Sequence, residues 1–262
     1  MAEFCCRLCN SQIKPIFTSK ILNKYPISYY YCSFCGLLQT ETPYWFDEAY
    51  KDPINILDTG MISRNIDQSK ITASIILFFF NNSAKFLDFA GGYGIFTRLM
   101  RDNGFDFSWF DPYTQNLFAK GFELSQFSDI ELITCFEGFE HFVYPTVDIE
   151  KMLAISENIF FSTSLLPDPI PNPEQWWYYG LEHGQHISFY SEKTLDYIAS
   201  KYRLKIYSFG SMHLLTRKKI HPVVFRFAIK HPNYLFFYFI AKNKKNSLTF
   251  SDMEYLIKKM KD

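Results

Sequence analysis

The stretch Phe86-Leu-Asp-Phe-Ala-Gly-Gly-Tyr-Gly-Ile-Phe-Thr97 decides how this chain is expected to fold. It reads as a buried strand, a glycine-rich turn and the start of a helix, in that order. Glycines in such a turn let the backbone adopt tight conformations and let a ligand approach the chain closely. In open α/β sheets, ligands bind beyond the carboxyl ends of the strands. The stretch therefore predicts a ligand site at the end of its strand.

Strand-like and helix-like segments alternate along the chain around this stretch. Short apolar runs predict buried strands, and longer segments of mixed polarity predict helices. The expected strands are 85–90, 105–110, 130–136, 158–163, 204–208 and 212–216, and the expected helices are 69–80, 95–102, 114–120, 147–155 and 192–200. Because strands that alternate with helices pair in parallel, this order predicts a doubly wound α/β sheet.

Two acidic residues accompany the glycine turn and indicate the class of ligand. Asp88 lies in the strand, and Asp111 ends the next strand, 23 residues later, where a carboxylate can accept hydrogen bonds from ribose hydroxyls. The dinucleotide pattern G-x-G-x-x-G needs a third glycine where Thr97 stands, and Asp88 would repel a pyrophosphate. S-adenosylmethionine carries an ammonium, a sulfonium and a ribose. The order acid, glycine turn, second acid therefore favours this cofactor over NAD.

The stretch from Asp88 to Gly94 resembles the D/E-x-G-x-G-x-G loop of class I S-adenosylmethionine-dependent methyltransferases, with Ala90 in place of the first glycine. Residues 136–141 are similar to the segment that follows the family's fourth strand, and residues 185–191 to the segment before its last αβ unit. The resemblance covers residues 69–216 and implies a Rossmann-like sheet. The cofactor-binding residues that it implies are Asp88, Ala90, Gly91, Gly92, Gly94, Asp111, Phe136 and Glu137, with Asp111 on the ribose.

Five of the six cysteines lie in the first 35 residues and predict a metal site. Cys6-x2-Cys9 and Cys32-x2-Cys35 each form a knuckle whose two thiolates can meet one ion. Four thiolates complete a tetrahedral site and leave no open position, so the spacing predicts structural zinc. Cys5 is an alternative ligand to Cys6. Two disulfides are the alternative to a metal, which the absence of a secretion signal disfavours.

Two cysteine knuckles ahead of such a domain resemble the methyltransferase subgroup that includes the sugar C-methyltransferases. The resulting organisation is a zinc-ribbon-like module at 1–40, a linker with a short helix at 41–68, the methyltransferase domain at 69–216, and a basic, aromatic, helical tail at 217–262. The subgroup implies a small-molecule acceptor, namely a sugar nucleotide or glycan precursor.

Methyl transfer to a hydroxyl or an acidic C–H needs a group that removes a proton. His186 is the first candidate, because a Glu-His pair in the corresponding segment of the sugar C-methyltransferases is associated with deprotonation. Gln185 stands here in the place of that glutamate. Tyr190 and His141 are further catalytic candidates. Each histidine has a plain structural alternative: His186 as a hydrogen-bonding loop residue, and His141 as a helix cap.

The formal net charge of zero is a cancellation between unlike parts of the chain. Residues 217–262 hold eleven basic and three acidic residues, and the rest of the chain is acidic by the same margin. Zero net charge argues against a nucleic-acid partner bound by bulk charge. The basic tail could contact an anionic membrane surface, dock on the catalytic domain with its lysines in water, or form a dimer contact.

The first residues carry an acid and no apolar run, and no apolar run reaches the ~20 residues that span a bilayer, so a cytoplasmic protein is expected. Together these features predict an S-adenosylmethionine-dependent methyltransferase with structural zinc. The alternatives are a non-catalytic zinc adaptor that keeps the fold, an NAD-linked oxidoreductase, and a nucleic-acid methyltransferase.

Overall fold

The computed structural model describes residues 4–51, 58–124, 128–233 and 246–261. The strands are, in chain order, β1 Lys14–Ile21, β2 Tyr25–Tyr31, β3 Leu38–Thr40, β4 Lys85–Phe89, β5 Asp106–Phe110, β6 Ile130–Cys135, β7 Ile159–Ser162, β8 Ser188–Phe189, β9 Lys205–Phe209 and β10 Met212–Thr216. The helices are α1 Phe46–Ala49, α2 Met61–Phe79, α3 Ile95–Asp102, α4 Pro145–Leu153, α5 Glu192–Lys201, α6 Pro222–Lys230 and α7 Thr249–Lys259. The described residues also form three short 3-10 helices, Phe139–His141, Pro173–Gln175 and Trp177–Tyr179.

The strands form two sheets, which confirms the mixed α/β class. One sheet has the order β1-β2-β3-β8, and the other has six strands in the order β5-β4-β6-β7-β10-β9. The chain divides into two compact units. The first comprises Met1–Leu57, Glu137–Leu153 and Phe161–Arg217, and the second comprises Asp58–Phe136, Ala154–Phe160 and Lys218–Asp262. The boundaries expected at residues 40, 68 and 216 stay predictions.

In the second unit, β4 lies between β5 and β6 and runs parallel to both. Phe86 and Leu87 are fully buried, as expected for a strand covered on both faces. After β4 the chain builds β5 on one side of it and β6 on the other. This reversal of direction opens a crevice at the carboxyl ends of the strands, where open α/β sheets bind ligands. The glycine turn lies at that end of β4.

Helix α3 follows the turn over the range that the sequence predicts, and α2 begins at Met61 rather than at Ser69. The helix expected over 114–120 was wrong, because those residues form bends. Asp111 accepts hydrogen bonds from the backbone N–H groups of Tyr113 and Thr114, and Asn116 accepts one from Ala119. These short polar side chains compete with helical hydrogen bonding and hold a turn instead.

The first unit contains the antiparallel sheet β1-β2-β3-β8. The short strand β3 pairs with β8, so Leu38 lies opposite Phe189 although 151 positions separate them in the sequence. The buried apolar cluster on this sheet consists of Ile21, Ile27, Tyr29, Leu38, Trp45, Ala49, Leu166, Tyr178, Tyr179, Ile187 and Phe189. The aromatic segment 176–179 therefore packs into this core with three of its rings, whereas Trp177 is 78% exposed.

The C-terminal residues of the second unit supply α6 and α7, which confirms a helical tail. The apolar run at 234–241 and the lysines at 242–245 lie outside the described residues. Arg101 of α3 donates two hydrogen bonds, from Nε and Nη2, to the two carboxylate oxygens of Asp252 in α7. Within the described parts of the chain, no helix has the length and apolar character needed to cross a membrane.

Candidate functional site

The glycine turn is a run of left-handed backbone. Ala90, Gly92 and Gly94 have φ values of 58°, 53° and 84°. A Cβ on Gly94 would lie 2.6 Å from Asn116 Oδ1 and 3.1 Å from the backbone N of Ala119. A Cβ on Gly91 would lie 2.6 Å from the Trp109 ring and 2.8 Å from the Asp88 carboxylate. Glycine is thus needed at position 94 for conformation and space, and at position 91 for close approach.

Asp111 ties the end of β5 to the turn. Its Oδ2 accepts a hydrogen bond from Gly92 N at 2.9 Å, and its Oδ1 accepts from Tyr113 N and Thr114 N at 2.8 and 2.9 Å. A carboxylate offers about four acceptor positions. These backbone donors occupy three of the four, so the remaining acceptor position is on Oδ2. Sequence reasoning identified Asp111 but not its bond to the turn.

Trp109 is a site residue that sequence reasoning missed. Its indole Nε1 donates a hydrogen bond to the carbonyl of Gly92 at 2.9 Å, and its ring fills the space that a Cβ on Gly91 would need. In the sequence it is one more aromatic residue in an apolar strand. The only available signal was its place two residues before Asp111, on the strand beside β4.

Asp88 lies under the turn and is 2% exposed. Thr97 donates a hydrogen bond to its Oδ2 at 2.8 Å, and Thr134 donates one to its Oδ1 at 3.2 Å. Burial raises the pKa of Asp88 to about 7; the two threonine hydroxyls work against this shift, and the charge of Asp111 adds to it. A cationic group brought near Asp88 would therefore favour its ionised form.

Phe136 and Glu137 follow β6 and belong to different units. Phe136 packs on Phe96 and Phe160, with ring centroids 5.0 and 5.6 Å away. Glu137 has a φ of 49°, and its Oε1 accepts a hydrogen bond from Ser162 Oγ at 2.6 Å. Seven of the expected cofactor-binding residues thus come together at the carboxyl ends of β4, β5 and β6: Asp88, Ala90, Gly91, Gly92, Gly94, Asp111 and Phe136. The eighth, Glu137, belongs to the first unit.

Ala90 stands where the family loop has glycine, and it holds a left-handed φ of 58°. This conformation costs an alanine roughly 1–2 kcal/mol. Glycine avoids this cost, but it loses more backbone entropy on folding, which offsets part of the gain in stability. We expect Ala90→Gly to raise the free energy of unfolding by about 1 kcal/mol, as measured by urea denaturation. Ala73→Gly, within α2, is the control and should lower it by at least about 1 kcal/mol. Equal destabilisation by both changes would contradict the expectation.

The candidate catalytic histidines lie in the first unit. The rings of His141 and His186 are 5.0 Å apart, and His183 lies 4.7 Å from His186. His186 Nδ1 donates a hydrogen bond to the carbonyl of Tyr178 at 2.7 Å. His141 Nδ1 lies 3.1 Å from the carbonyl of Gln185 and 2.9 Å from the hydroxyl of Tyr50. Because a carbonyl only accepts, the Nδ1 of His186 carries the proton and its Nε2 keeps a lone pair. The Nδ1 of His141 lies between a carbonyl, which only accepts, and a hydroxyl, which can donate or accept.

Burial keeps these imidazoles neutral. It lowers the pKa of His141 to about 4, with the charge of His183 acting in the same direction, and it places the pKa of His186 well below its ordinary value. A neutral imidazole keeps a lone pair that can bind a metal ion. The structure therefore brings His141 and His186 together, and their catalytic roles stay predictions.

Glu140 lies beside these histidines, and the sequence marks it only as the neighbour of the candidate His141, in a pair that could face the acceptor. It is fully buried, and among the described residues neither carboxylate oxygen has a hydrogen-bond partner. Burial and the charge of Glu137 raise the pKa of Glu140 to about 8, and the nearby hydroxyls of Tyr178 and Thr163 offset only part of this. Its sequence signal was the Glu-His pair at 140–141, which also fits a helix cap.

Tyr190 is fully buried, and its hydroxyl donates a hydrogen bond to the carbonyl of Phe139 at 3.0 Å. Phe139 begins the short helix that carries Glu140 and His141. Tyr190 therefore supports the backbone of that helix. Its predicted part in catalysis stays a prediction.

The two cysteine knuckles also meet in the first unit. The four sulfurs of Cys6, Cys9, Cys32 and Cys35 all lie within 4.8 Å of one another, with Cys6 and Cys35 at 3.5 Å and Cys9 and Cys32 at 3.5 Å. Tetrahedral zinc with Zn–S bonds of about 2.3 Å would place its sulfurs about 3.8 Å apart. Cys5 is exposed and lies outside this group, which favours Cys6 as the ligand.

Comparison with known proteins gives one family and several distant structures. Residues 64–208 match the family model described as "Methyltransferase domain". The plantazolicin methyltransferase BpumL in complex with SAH is 16% identical (TM-score 0.42; 72% of this chain and 86% of that chain). A SAH-bound magnesium protoporphyrin IX methyltransferase from Synechocystis PCC 6803 is 13% identical (TM-score 0.43; 65% of this chain and 90% of that chain). An O-methyltransferase family protein from Burkholderia thailandensis is 14% identical (TM-score 0.46; 65% of this chain and 61% of that chain). No curated protein matches the chain.

Proposed function

This chain belongs to the methyltransferase domain family and is an S-adenosylmethionine-dependent methyltransferase, and from that premise we propose that its acceptor is a small molecule, namely a nucleotide-linked sugar or a glycan precursor methylated at carbon or oxygen. The observation that carries the cofactor assignment is the left-handed turn held by Asp111 at the switch point beside β4. The acceptor assignment is supported by the cysteine knuckles that precede the methyltransferase fold.

The cofactor is assigned to the carboxyl ends of β4, β5 and β6. The turn from Ala90 to Gly94 would hold its methionine end, because glycine allows the backbone to come close to a ligand. Asp111 would hold the ribose, because its Oδ2 still has acceptor capacity beside the N–H of Gly92. The buried carboxylate of Asp88 supplies negative potential for the ammonium group.

The reaction is an in-line displacement at a carbon that the sulfonium already activates. The protein must align the acceptor and provide for the proton that the nucleophile loses. In the described part of the first unit, Glu140, His141 and His186 form a cluster of two neutral imidazoles and one carboxyl group that suits this second task. We assign the proton chemistry to this cluster.

Structural zinc is assigned to Cys6, Cys9, Cys32 and Cys35. The four sulfurs converge with spacings close to those of a tetrahedral thiolate site, and none is joined in a disulfide. Four thiolates leave no open position for chemistry. When bound, the ion ties the knuckle before β1 to the knuckle between β2 and β3.

Calorimetric titration with S-adenosylhomocysteine and with NADH tests the cofactor assignment. Asp111→Asn removes the charge and one acceptor, so we expect the affinity for S-adenosylhomocysteine to fall roughly 10- to 100-fold. Asp129→Asn, at an exposed aspartate of the same unit, is the matched control and should leave it unchanged. Binding of NADH in place of S-adenosylhomocysteine would overturn the proposal, and equal affinity of both variants would show that the ribose site is misplaced.

A further inference from the structure

Glu140, His141 and His186 form a second group of potential metal ligands, separate from the four cysteines. One carboxylate oxygen and one ring nitrogen from each histidine all lie within 4.8 Å of one another. Glu140 and His141 come from the short helix Phe139–His141, and His186 comes from the loop before β8. All three belong to the first unit.

Both histidines are held in the way that metal-binding histidines are. A ligating imidazole usually donates its other N–H to a carbonyl or carboxylate, which fixes the ring and makes the free nitrogen a better ligand. Here the Nδ1 of His186 donates to the carbonyl of Tyr178, and the Nδ1 of His141 lies within hydrogen-bond distance of the carbonyl of Gln185. Each histidine contributes one ring nitrogen to the group of atoms that lie within 4.8 Å of one another, and the Nε2 of His186 keeps its lone pair for a ligand.

Glu140 provides the second, independent observation. Its side chain is fully buried, and neither carboxylate oxygen accepts a hydrogen bond from the described residues. A buried carboxylate without a partner is costly, and native proteins keep such groups where a cation or another ligand completes them. A bound cation would give this carboxylate the partner that it lacks.

We propose that Glu140, His141 and His186 bind a divalent first-row transition metal ion of the class of Zn²⁺, Fe²⁺ and Co²⁺. Two imidazoles and one carboxylate are the ligand set that these ions take in three-ligand sites, whereas Mg²⁺ and Ca²⁺ prefer oxygen alone. Three protein ligands leave at least one coordination position open. The cysteine site differs in this respect, because its four thiolates fill all four coordination positions of a tetrahedral ion.

The open position gives the ion a chemical role. A hydroxyl group or water bound to such an ion has a much lower pKa and releases its proton to solvent near neutral pH. This deepens the proposed function, because an acceptor hydroxyl bound there would become a better nucleophile without a protein base. The competing arrangement is a metal-free cluster in which His186 itself takes the proton.

Cobalt binding distinguishes these arrangements. The full-length protein, with any cysteine-bound metal left in place, is dialysed against citrate and then titrated with CoCl2 while heat and visible absorption are recorded. We expect one equivalent of Co²⁺ to bind with d–d absorption and without thiolate-to-cobalt charge-transfer bands. Glu140→Gln and His186→Asn should each weaken this binding by more than about 100-fold. His183→Asn, at the neighbouring histidine outside the ligand group, should keep it.

Three results would overturn the metal site: no Co²⁺ binding beyond the cysteines, equal binding by all three variants, or loss in His183→Asn alone. Circular dichroism and S-adenosylhomocysteine titration of the same samples separate misfolding from loss of the metal. They also separate the two proposals, because a protein that binds S-adenosylhomocysteine but not Co²⁺ keeps the proposed function and loses only the metal. The reverse result keeps the metal and removes the cofactor assignment.

Discussion

The Cys35→Ser protein is expected to hold one metal ion fewer per chain than the wild type and to lose much of the stability of the first unit. Cys35 is fully buried in the knuckle that joins β2 to β3, and β3 in turn pairs with β8. Structural zinc contributes about 10–16 kcal/mol in small zinc-binding peptides, so losing one thiolate should cost on the order of 5 kcal/mol. Elemental analysis and urea denaturation measure the two effects.

Cys5→Ser is the matched control for this experiment. Cys5 is adjacent to the ligand Cys6 but is exposed, and its sulfur lies outside the group of four. The control should keep its metal and its unfolding midpoint. If Cys35→Ser retained the full metal content, or if both variants lost one ion, the assignment of the four ligands would be wrong.

Arg101→Leu is expected to destabilise the second unit by about 3–5 kcal/mol, the usual cost of breaking a buried ion pair from one side. The guanidinium of Arg101 bonds both oxygens of Asp252, Asp106 at 2.7 Å and the carbonyl of Phe107 at 2.8 Å. It also lies 3.9 Å from the centre of the Phe122 ring. Leucine would leave the 4%-exposed Asp252 without this partner, so α7 should also become accessible to proteolysis.

Arg64→Leu is the control for burial. Arg64 also bonds both oxygens of one aspartate, Asp58, but about a third of each side chain is exposed. Exposed pairs contribute little, so the loss should stay below about 1 kcal/mol. Similar losses in the two variants would show that burial of the Arg101 pair does not matter.

The effect of Arg101→Leu should also depend on pH. Burial alone would raise the pKa of Asp252, but the hydrogen bonds and charge of Arg101, together with Arg98, outweigh burial and lower it. A carboxyl whose pKa is lowered on folding contributes stability above its ordinary pKa and loses it as the pH falls further. The difference between wild type and variant should therefore shrink in acid, where the aspartate becomes protonated.

Local patterns in the sequence were enough for much of the fold. The stretch from Phe86 to Thr97 predicted strand, turn and helix correctly, since a buried parallel strand is an apolar run and glycine marks the left-handed turn. The same local reasoning failed at 114–120. There Asp111 and Asn116 take up backbone N–H groups, and composition alone does not show whether such side chains will cap a helix or replace it.

The candidate sites divide in the same way. Cys6, Cys9, Cys32 and Cys35 could be identified as one group because metal-binding spacing is a local signal. Trp109 could not, because an aromatic residue in a strand is ordinarily core. Its indole contact with Gly92 exists only once β5 lies beside β4.

By itself, then, the sequence determined the α/β class, the position of the glycine turn and the two cysteine knuckles, because each depends on residues within a few positions of one another. Tertiary structure alone decided that Glu140 and His141 meet His186, that Asp252 pairs with Arg101, and that β3 pairs with β8. These partners are 45 to 151 positions apart in the chain. A buried carboxylate or arginine meets its partner only when distant segments pack together. The sequence near either residue has no local pattern that identifies the other.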